Sequence, residues 1–146
     1  MIAIRHFFTQ SRASAETTCD TLLDSLDRLV ISLRRLRLRL CAPEAMLAQL
    51  DRLVSLTASP NVRLGVIGSE TQNVVGPWHG FSLRDNERVL VETFSAELNL
   101  VQPPEIALYS KIFKQFAAVA SYGRSARAII TRAIDDLVAE VPHDEA

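Results

Sequence analysis

The sequence predicts an α+β domain in which a small, mostly antiparallel sheet packs against several helices, the last two of which form a C-terminal helical pair. Three observations support this class. Apolar residues recur at helical spacing after Pro43, a short apolar run at residues 62–68 is bounded by turn residues, and two apolar segments flank Asp85-Asn86-Glu87. The first pattern is typical of a helix that faces a core, and the other two are typical of a buried strand and a β-hairpin.

The chain has the length of one domain. Its 146 residues can bury roughly two thirds of the surface that the unfolded chain exposes. Apolar residues make up 48% and charged residues 23%, a composition that excludes an intrinsically disordered protein. We expect a loosely attached N-terminal arm over residues 1–14, a single domain over residues 15–141 and a short acidic tail over residues 142–146.

Charge and cysteine content exclude several classes of function. A net charge of -1 gives no general attraction to nucleic acid or membranes. The two cysteines, Cys19 and Cys41, lie in different contexts without a CxxC motif, so we expect neither a disulfide framework nor a metal site, and no cofactor. No apolar run reaches the roughly 18 residues of a membrane-spanning helix, and no secretory cleavage site follows the N-terminus. The expected location is the cytoplasm.

Residues 16–40 fit two alternatives. Leucines from Leu22 to Leu40 recur at alternating gaps of four and three, which predicts a helix. Leu29-Val30-Ile31 is instead apolar and rich in β-branched residues, and residues 36–40 alternate with period two, which indicates that a strand interrupts the helix. The local pattern leaves both open.

The next segment predicts a helix followed by a strand. Pro43 is favoured at the first position of a helix, and Pro60 disfavours helical geometry in the residue before it. The apolar stripe between them comprises Met46, Leu50 and Leu53. Residues 62–68 then form the best candidate for a central strand, and residues 69–80 are predicted to form a loop.

The hairpin after this loop has two alternative registers. A three-residue loop at Asp85-Asn86-Glu87 puts Phe81 opposite Val91 and gives one apolar face. A two-residue loop puts His79 opposite Glu92 and mixes the faces. We expect the first register, because a buried face fixes the pairing.

The C-terminal third predicts a short strand and two helices. Residues 98–101 form the strand, and Gln102-Pro103-Pro104 begins a helix that runs to Tyr122-Gly123. We assign its apolar stripe to the core, with a partner-binding face as the alternative, and the stripe comprises Ile106, Tyr109, Phe113, Phe116 and Ala120. The last helix covers about residues 124–140, and its apolar face comprises Ala126, Ile130, Ala133 and Leu137.

Trp78 and His79 are the most distinctive residues of the predicted loop at residues 69–80, and Trp78 is the only tryptophan of the sequence. They suit a small-ligand pocket, in which Trp78 stacks and His79 donates or accepts a hydrogen bond, but a packed turn explains them more simply. A catalytic dyad of His79 with Glu92 requires the disfavoured register. Because no nucleophile lies at a recognisable spacing from a base, we assign no catalytic residue.

A basic cluster suggests a second candidate site, for an anion or an acidic partner. Its arginines are Arg28, Arg34, Arg35, Arg37 and Arg39. Arginine side chains suit phosphate, sulfate or carboxylate groups. A solvated face paired with Asp24 and Asp27 is the simpler interpretation, and the sequence lacks an element that would read a DNA groove.

The order of the segments resembles the C-terminal effector domain of XRE-type helix-turn-helix regulators of streptomycetes and other actinobacteria. The matching residues are 44–53, 60–66, 79–81 and 91–93, followed by Tyr109, Phe113, Ala117 or Ala120, Gly123, Ala126, Arg127, Ile129 and Ile130. The resemblance covers roughly residues 27–137. It departs from the family at Leu33-Arg34-Arg35, where an acidic residue and small residues are common, and at Gly68, where proline is usual.

The resemblance implies a regulatory domain, and domains of this family are mainly of unknown biochemical function. Family members are often encoded beside a small companion protein. The sequence lacks the DNA-binding domain of full-length members, so we expect no direct sequence-specific DNA binding. The favoured hypothesis is a non-enzymatic regulatory module that binds a protein partner, with a small ligand or a homo-oligomer left open. The alternative is an accessory subunit or small catalyst recruited to antibiotic biosynthesis, in complex with a biosynthetic enzyme.

Overall fold

The computed structural model describes residues 2–4, 28–37, 42–72, 79–93 and 95–140. Its strands are β1 (Ile2–Ile4), β2 (Arg28–Ser32), β3 (Arg63–Ile67), β4 (Phe81–Arg84), β5 (Arg88–Glu92), β6 (Glu97–Leu100) and β7 (Ser121–Tyr122). Its helices are α1 (Leu33–Leu36), α2 (Pro43–Leu56), α3 (Pro103–Val119) and α4 (Gly123–Glu140).

These strands form one sheet in the order β6-β5-β4-β1-β2-β3-β7. The pairings of β1 with β2 and of β2 with β3 are parallel. The pairings of β1 with β4, β4 with β5, β5 with β6 and β3 with β7 are antiparallel. The predicted α+β class with a mostly antiparallel sheet is confirmed.

Helices cover both faces of the sheet. In β2, Leu29 and Ile31 face α2 and α4 while Val30 faces α3, and all three side chains are at most 2% exposed. A strand that is buried on both sides carries a continuous apolar run rather than an alternating one. This position in the middle of three layers explains the Leu29-Val30-Ile31 run.

Two separate clusters of buried residues make up the core. Under α2 and α4 lie Leu29, Ile31, Leu33, Leu36, Met46, Leu50, Leu53, Leu64, Val66, Ala126, Ile130, Ala133 and Leu137. Under α3 lie Val30, Ile67, Phe81, Leu83, Val89, Val91, Phe113 and Phe116. Both predicted C-terminal helices are therefore present, but they lie on opposite faces of the sheet instead of packing side by side.

The ambiguous segment contains a strand. β2 pairs with β3 along its whole length, and the single turn of α1 follows directly. Residues 22–27 and 38–41 lie outside the described ranges. The local sequence left a helix and a strand open for this segment. Pairing with β3, which is distant in sequence, decided in favour of the strand.

Helix α2 and the hairpin agree closely with prediction. Pro43 is the first residue of α2. At the end of the helix, the N–H of Thr57 donates to the carbonyls of Leu53 and Val54. In the hairpin, Phe81 pairs with Val91, which is the expected register. Its turn places Asp85 and Asn86 at φ of 53° and 58°, the left-handed region that aspartate and asparagine tolerate.

Strand β1 differs from the expected loosely attached arm. Residues 2–4 pair with both β2 and β4 and so join the two halves of the sheet. Local composition did not predict this strand, because both of its partners come from elsewhere in the chain. Residues 5–14 of the arm and the predicted tail lie outside the described ranges.

β7 is held close against β3 at the other end of the sheet. Gly65 of β3 pairs with Tyr122, whose hydroxyl donates to the Ala117 carbonyl at 2.8 Å. The guanidinium carbon of Arg63 lies 4.4 Å from the centre of the Tyr122 ring. Gly123 then begins α4 at a φ of 54°, a conformation that favours glycine.

Candidate functional site

The predicted site residue His79 contacts a residue of α3. It precedes β4, and its Nε2 lies 3.0 Å from the hydroxyl oxygen of Tyr109. Either group can donate in this hydrogen bond, depending on which ring nitrogen of the neutral histidine carries the proton. The side chain of His79 is exposed, so the pair lies at the surface, where α3 crosses the end of β4.

Tyr109 is fixed in place by two aromatic neighbours. Its ring meets that of Phe81 edge-on, with centroids 4.8 Å apart, and that of His79 at 5.9 Å. Phe81 is only 4% exposed and belongs to the core under α3. The tyrosine therefore combines an apolar ring packed on the core with a hydroxyl that reaches the surface histidine.

The surroundings of Tyr109 favour the neutral form of its phenol. Burial raises the pKa of the phenol, and the negative charge of Glu105, one helical turn away, raises it further. Because a neutral phenol can both donate and accept a hydrogen bond, Tyr109 is suited to its contact with His79.

The register required by the alternative His79–Glu92 dyad is not formed. Glu92 pairs with Glu97 of β6, and Phe81 pairs with Val91, so His79 does not lie opposite Glu92 in the ladder. The side chain of Glu92 and all of Trp78 lie outside what the structure describes. The predicted ligand-binding pair of Trp78 with His79 stays a prediction.

The arginine cluster is divided between different surroundings. Arg34 is exposed on α1, while Arg37 forms an ion pair with Asp136 of α4, and the two side chains are 51% and 46% exposed. The structure describes neither the side chain of Arg35 nor any part of Arg39. The ion pair links α1 to α4 through a partner that sequence reasoning did not identify, because Asp136 lies 99 residues away.

Three large apolar side chains between the start of β6 and the middle of α3 are exposed. In β6, Leu98 is 44% exposed. Val101, which follows β6, is 53% exposed, and Leu108 of α3 is 55% exposed. Because Leu98 pairs with Val91, which pairs with Phe81, Leu98 lies on the face covered by α3. We call Leu98, Val101 and Leu108 the β6 corner.

Two residues of this region were missed from the sequence. Tyr109 was assigned to the core, with a partner-binding face as the alternative, and no hydrogen-bond partner was predicted for its hydroxyl. Leu98 was assigned to a strand without a prediction that the strand lies at an edge. That information depends on strand order, which local patterns do not contain.

Searches for other kinds of site gave negative results within the described ranges. Among those residues, no group of three or more His, Cys, Asp or Glu side chains is placed to hold a metal ion. No helix in the same residues is long and apolar enough to cross a membrane.

A comparison with protein families gives one match. The family model of a domain of unknown function, DUF5753, matches residues 25–132. No curated protein and no solved structure matches the chain.

Proposed function

The chain belongs to the DUF5753 family, and from this premise we propose that it is a non-enzymatic regulatory module that binds a protein partner. The proposal includes an origin in the effector domains of actinobacterial helix-turn-helix regulators, as the sequence resemblance implies. Such a module would act on transcription through contacts with another protein and would not itself bind DNA specifically.

The β6 corner is the observation that supports this proposal. Leu98, Val101 and Leu108 are each at least 44% exposed and lie within a continuous stretch that joins an edge strand to a helix. Single exposed apolar residues are ordinary, but several large ones within one short stretch of chain favour a protein contact. Burial of such side chains by a partner would stabilise a complex by about 25 cal/mol per Å² of apolar surface.

The His79–Tyr109 pair supports the non-enzymatic part of the proposal. Its tyrosine has a raised pKa, and its histidine uses one ring nitrogen in a structural hydrogen bond. A role in positioning the start of β4 against α3 fits these contacts better than a reaction does.

The test is co-purification of the tagged protein from its native cytoplasm, followed by titration of the identified partner in purified form. We compare the wild type with a Leu98→Gln, Leu108→Gln double variant. Val138→Gln is the matched control, because Val138 is 46% exposed and lies on α4, away from the corner. We expect the double variant to lose the partner and the control to keep it.

The identity of the partner distinguishes the two functional classes. A helix-turn-helix regulator or a small companion protein supports the regulatory role, whereas a biosynthetic enzyme supports the alternative accessory role. Equal binding by the double variant and the control would exclude the β6 corner as the contact surface. Loss of a chemical step in His79→Ala, with folding and partner binding intact, would exclude a purely non-enzymatic function.

A further inference from the structure

We propose that β6 is a homodimerisation edge, along which two copies of the chain pair their β6 strands antiparallel about a two-fold axis. The inference rests on the proposed function, because it treats the β6 corner as a protein-contact surface. The partner of strand β6 is then a second copy of the chain.

β6 is an edge strand within the part of the sheet that the structure describes. β6 is the last strand of the sheet, and among the described residues it pairs only with β5. Natural sheets commonly protect such edges with lysine, proline or a bulge. The strand Glu97–Leu100 contains neither lysine nor proline, and its register with β5 is continuous.

The side chains of β6 indicate a missing neighbour. Leu98 and Leu100 share the face covered by α3, where Leu100 packs on the core and Leu98 stays 44% exposed. On the inner side, Val91 of β5 is only 3% exposed. One more strand beyond β6 would cover Leu98 in the way that β4 and β6, on either side of β5, cover Val91.

Symmetry restricts how a second copy can add this strand. A two-fold axis normal to the sheet keeps α3 of both copies on the same side. Residues directly opposite in an antiparallel pair share a face, so Leu98 must lie opposite a residue of the second copy that also faces α3. Leu98 opposite Leu100 of the second copy meets this condition and pairs three of the four residues of β6 with one another.

The resulting ladder is complementary to itself. Each Leu98 contacts a Leu100, and the two copies of Asn99 face each other on the axis. If the alternation continues by one residue, Glu97 lies opposite Val101, so the pairing buries the second exposed side chain and opposes no like charges. Because so short a pairing buries less area than a standard interface, we expect a dissociation constant in the micromolar range.

Asn99 offers a test that is specific for this register. It is exposed and is the one position that meets itself across the axis, so Asn99→Lys and Asn99→Glu each place like charges opposite one another. We expect each variant alone to dimerise up to about fivefold more weakly than the wild type. An equimolar mixture should recover dimerisation, because lysine then faces glutamate.

Sedimentation equilibrium from micromolar to near-millimolar protein measures these constants, and circular dichroism verifies that the variants are folded. The corresponding exchanges at Val138, to lysine and to glutamate, are the control and should leave dimerisation unchanged. A wild type that stays monomeric throughout would overturn the proposal. So would dimers that are insensitive to both charges at position 99.

These outcomes are separate from those of the proposed function. A monomeric protein that still loses its cellular partner in the Leu98, Leu108 double variant would retain the proposed function without the dimer. A dimer whose contacts follow the Asn99 charges, but which captures no other protein, would retain the dimer without the regulatory role.

Discussion

Replacement of Gly65 by alanine tests how closely β7 is packed against β3. A Cβ atom at this position would lie 2.8 Å from Cε1 of Tyr122 and 2.9 Å from Cβ of Ala120. Carbon atoms pack at about 3.5–4.0 Å, so β7 or the tyrosine ring must move. Movement of the ring is opposed by the hydrogen bond to Ala117 and by the contact with Arg63.

The expected cost follows from the two short contacts. Forcing an extra carbon into a packed site typically costs about 1–3 kcal/mol. Loss of backbone freedom in the unfolded chain returns about 0.4–1 kcal/mol on any Gly→Ala change. Gly68→Ala is the matched control, because among the described residues its Cβ would meet only Oγ1 of Thr71 at 3.5 Å, which is an ordinary contact.

Urea denaturation followed by circular dichroism gives the free energy of unfolding of both variants. We expect Gly65→Ala to be about 1–3 kcal/mol less stable than Gly68→Ala, since the unfolded-state effect largely cancels between them. Adding Tyr122→Ala should reduce the cost of the alanine at position 65 by removing one of its two close neighbours. Equal stabilities of the two single variants would refute the reasoning.

Three further predictions concern local contacts. Tyr109→Phe should lower the free energy of unfolding by about 0.5–1.5 kcal/mol through loss of the hydrogen bond to His79, as measured by urea denaturation. Burial raises the pKa of Tyr109 above its usual 10.0, so the folded state binds the phenol proton more tightly than the unfolded state does. The free energy of unfolding should therefore fall as the pH rises beyond 10, and it should fall less steeply in the Tyr109→Phe variant. Gly123→Ala should cost about 1–2 kcal/mol in thermal or urea unfolding, because the φ of 54° is disfavoured with a side chain. Arg37→Ala should cost less than about 1 kcal/mol, and a double-mutant cycle with Asp136→Asn should show coupling that weakens in high salt, because both partners are about half exposed.

Each of these predictions has a result that would contradict it. An alkaline stability profile identical in wild type and Tyr109→Phe would mean that the phenol is not perturbed by folding. If Gly123→Asn, which tolerates positive φ, lost as much stability as Gly123→Ala, backbone conformation would not be the cause. A coupling between Arg37 and Asp136 that is unaffected by salt would contradict a solvent-exposed pair.

The hairpin illustrates what could be derived from the sequence about the fold. The register with Phe81 opposite Val91 follows from keeping apolar residues on one face, and the structure has that register. Helix α2 and the buried stripe of α4 follow in the same way from spacing alone. In each case the information lies within about 20 residues of sequence, the length over which periodicity determines local structure.

The candidate site was less accessible to sequence analysis. His79 was identified from its loop, but its partner Tyr109 lies 30 residues away on a helix that crosses the sheet. The exposure of Leu98 depends on β6 being an edge strand, which follows from strand order. Neither the pairing of distant side chains nor the order of strands is contained in a local pattern.

The sequence by itself determined the α+β class, the two long C-terminal helices, the hairpin and the buried apolar stripes of α2 and α4. Tertiary structure alone decided that residues 2–4 join the two halves of the sheet, that α3 and α4 cover opposite faces, and that Arg37 meets Asp136. The physical reason is that periodic burial is a property of neighbouring residues. Strand order and contacts between helices depend instead on the packing of the whole chain into one core.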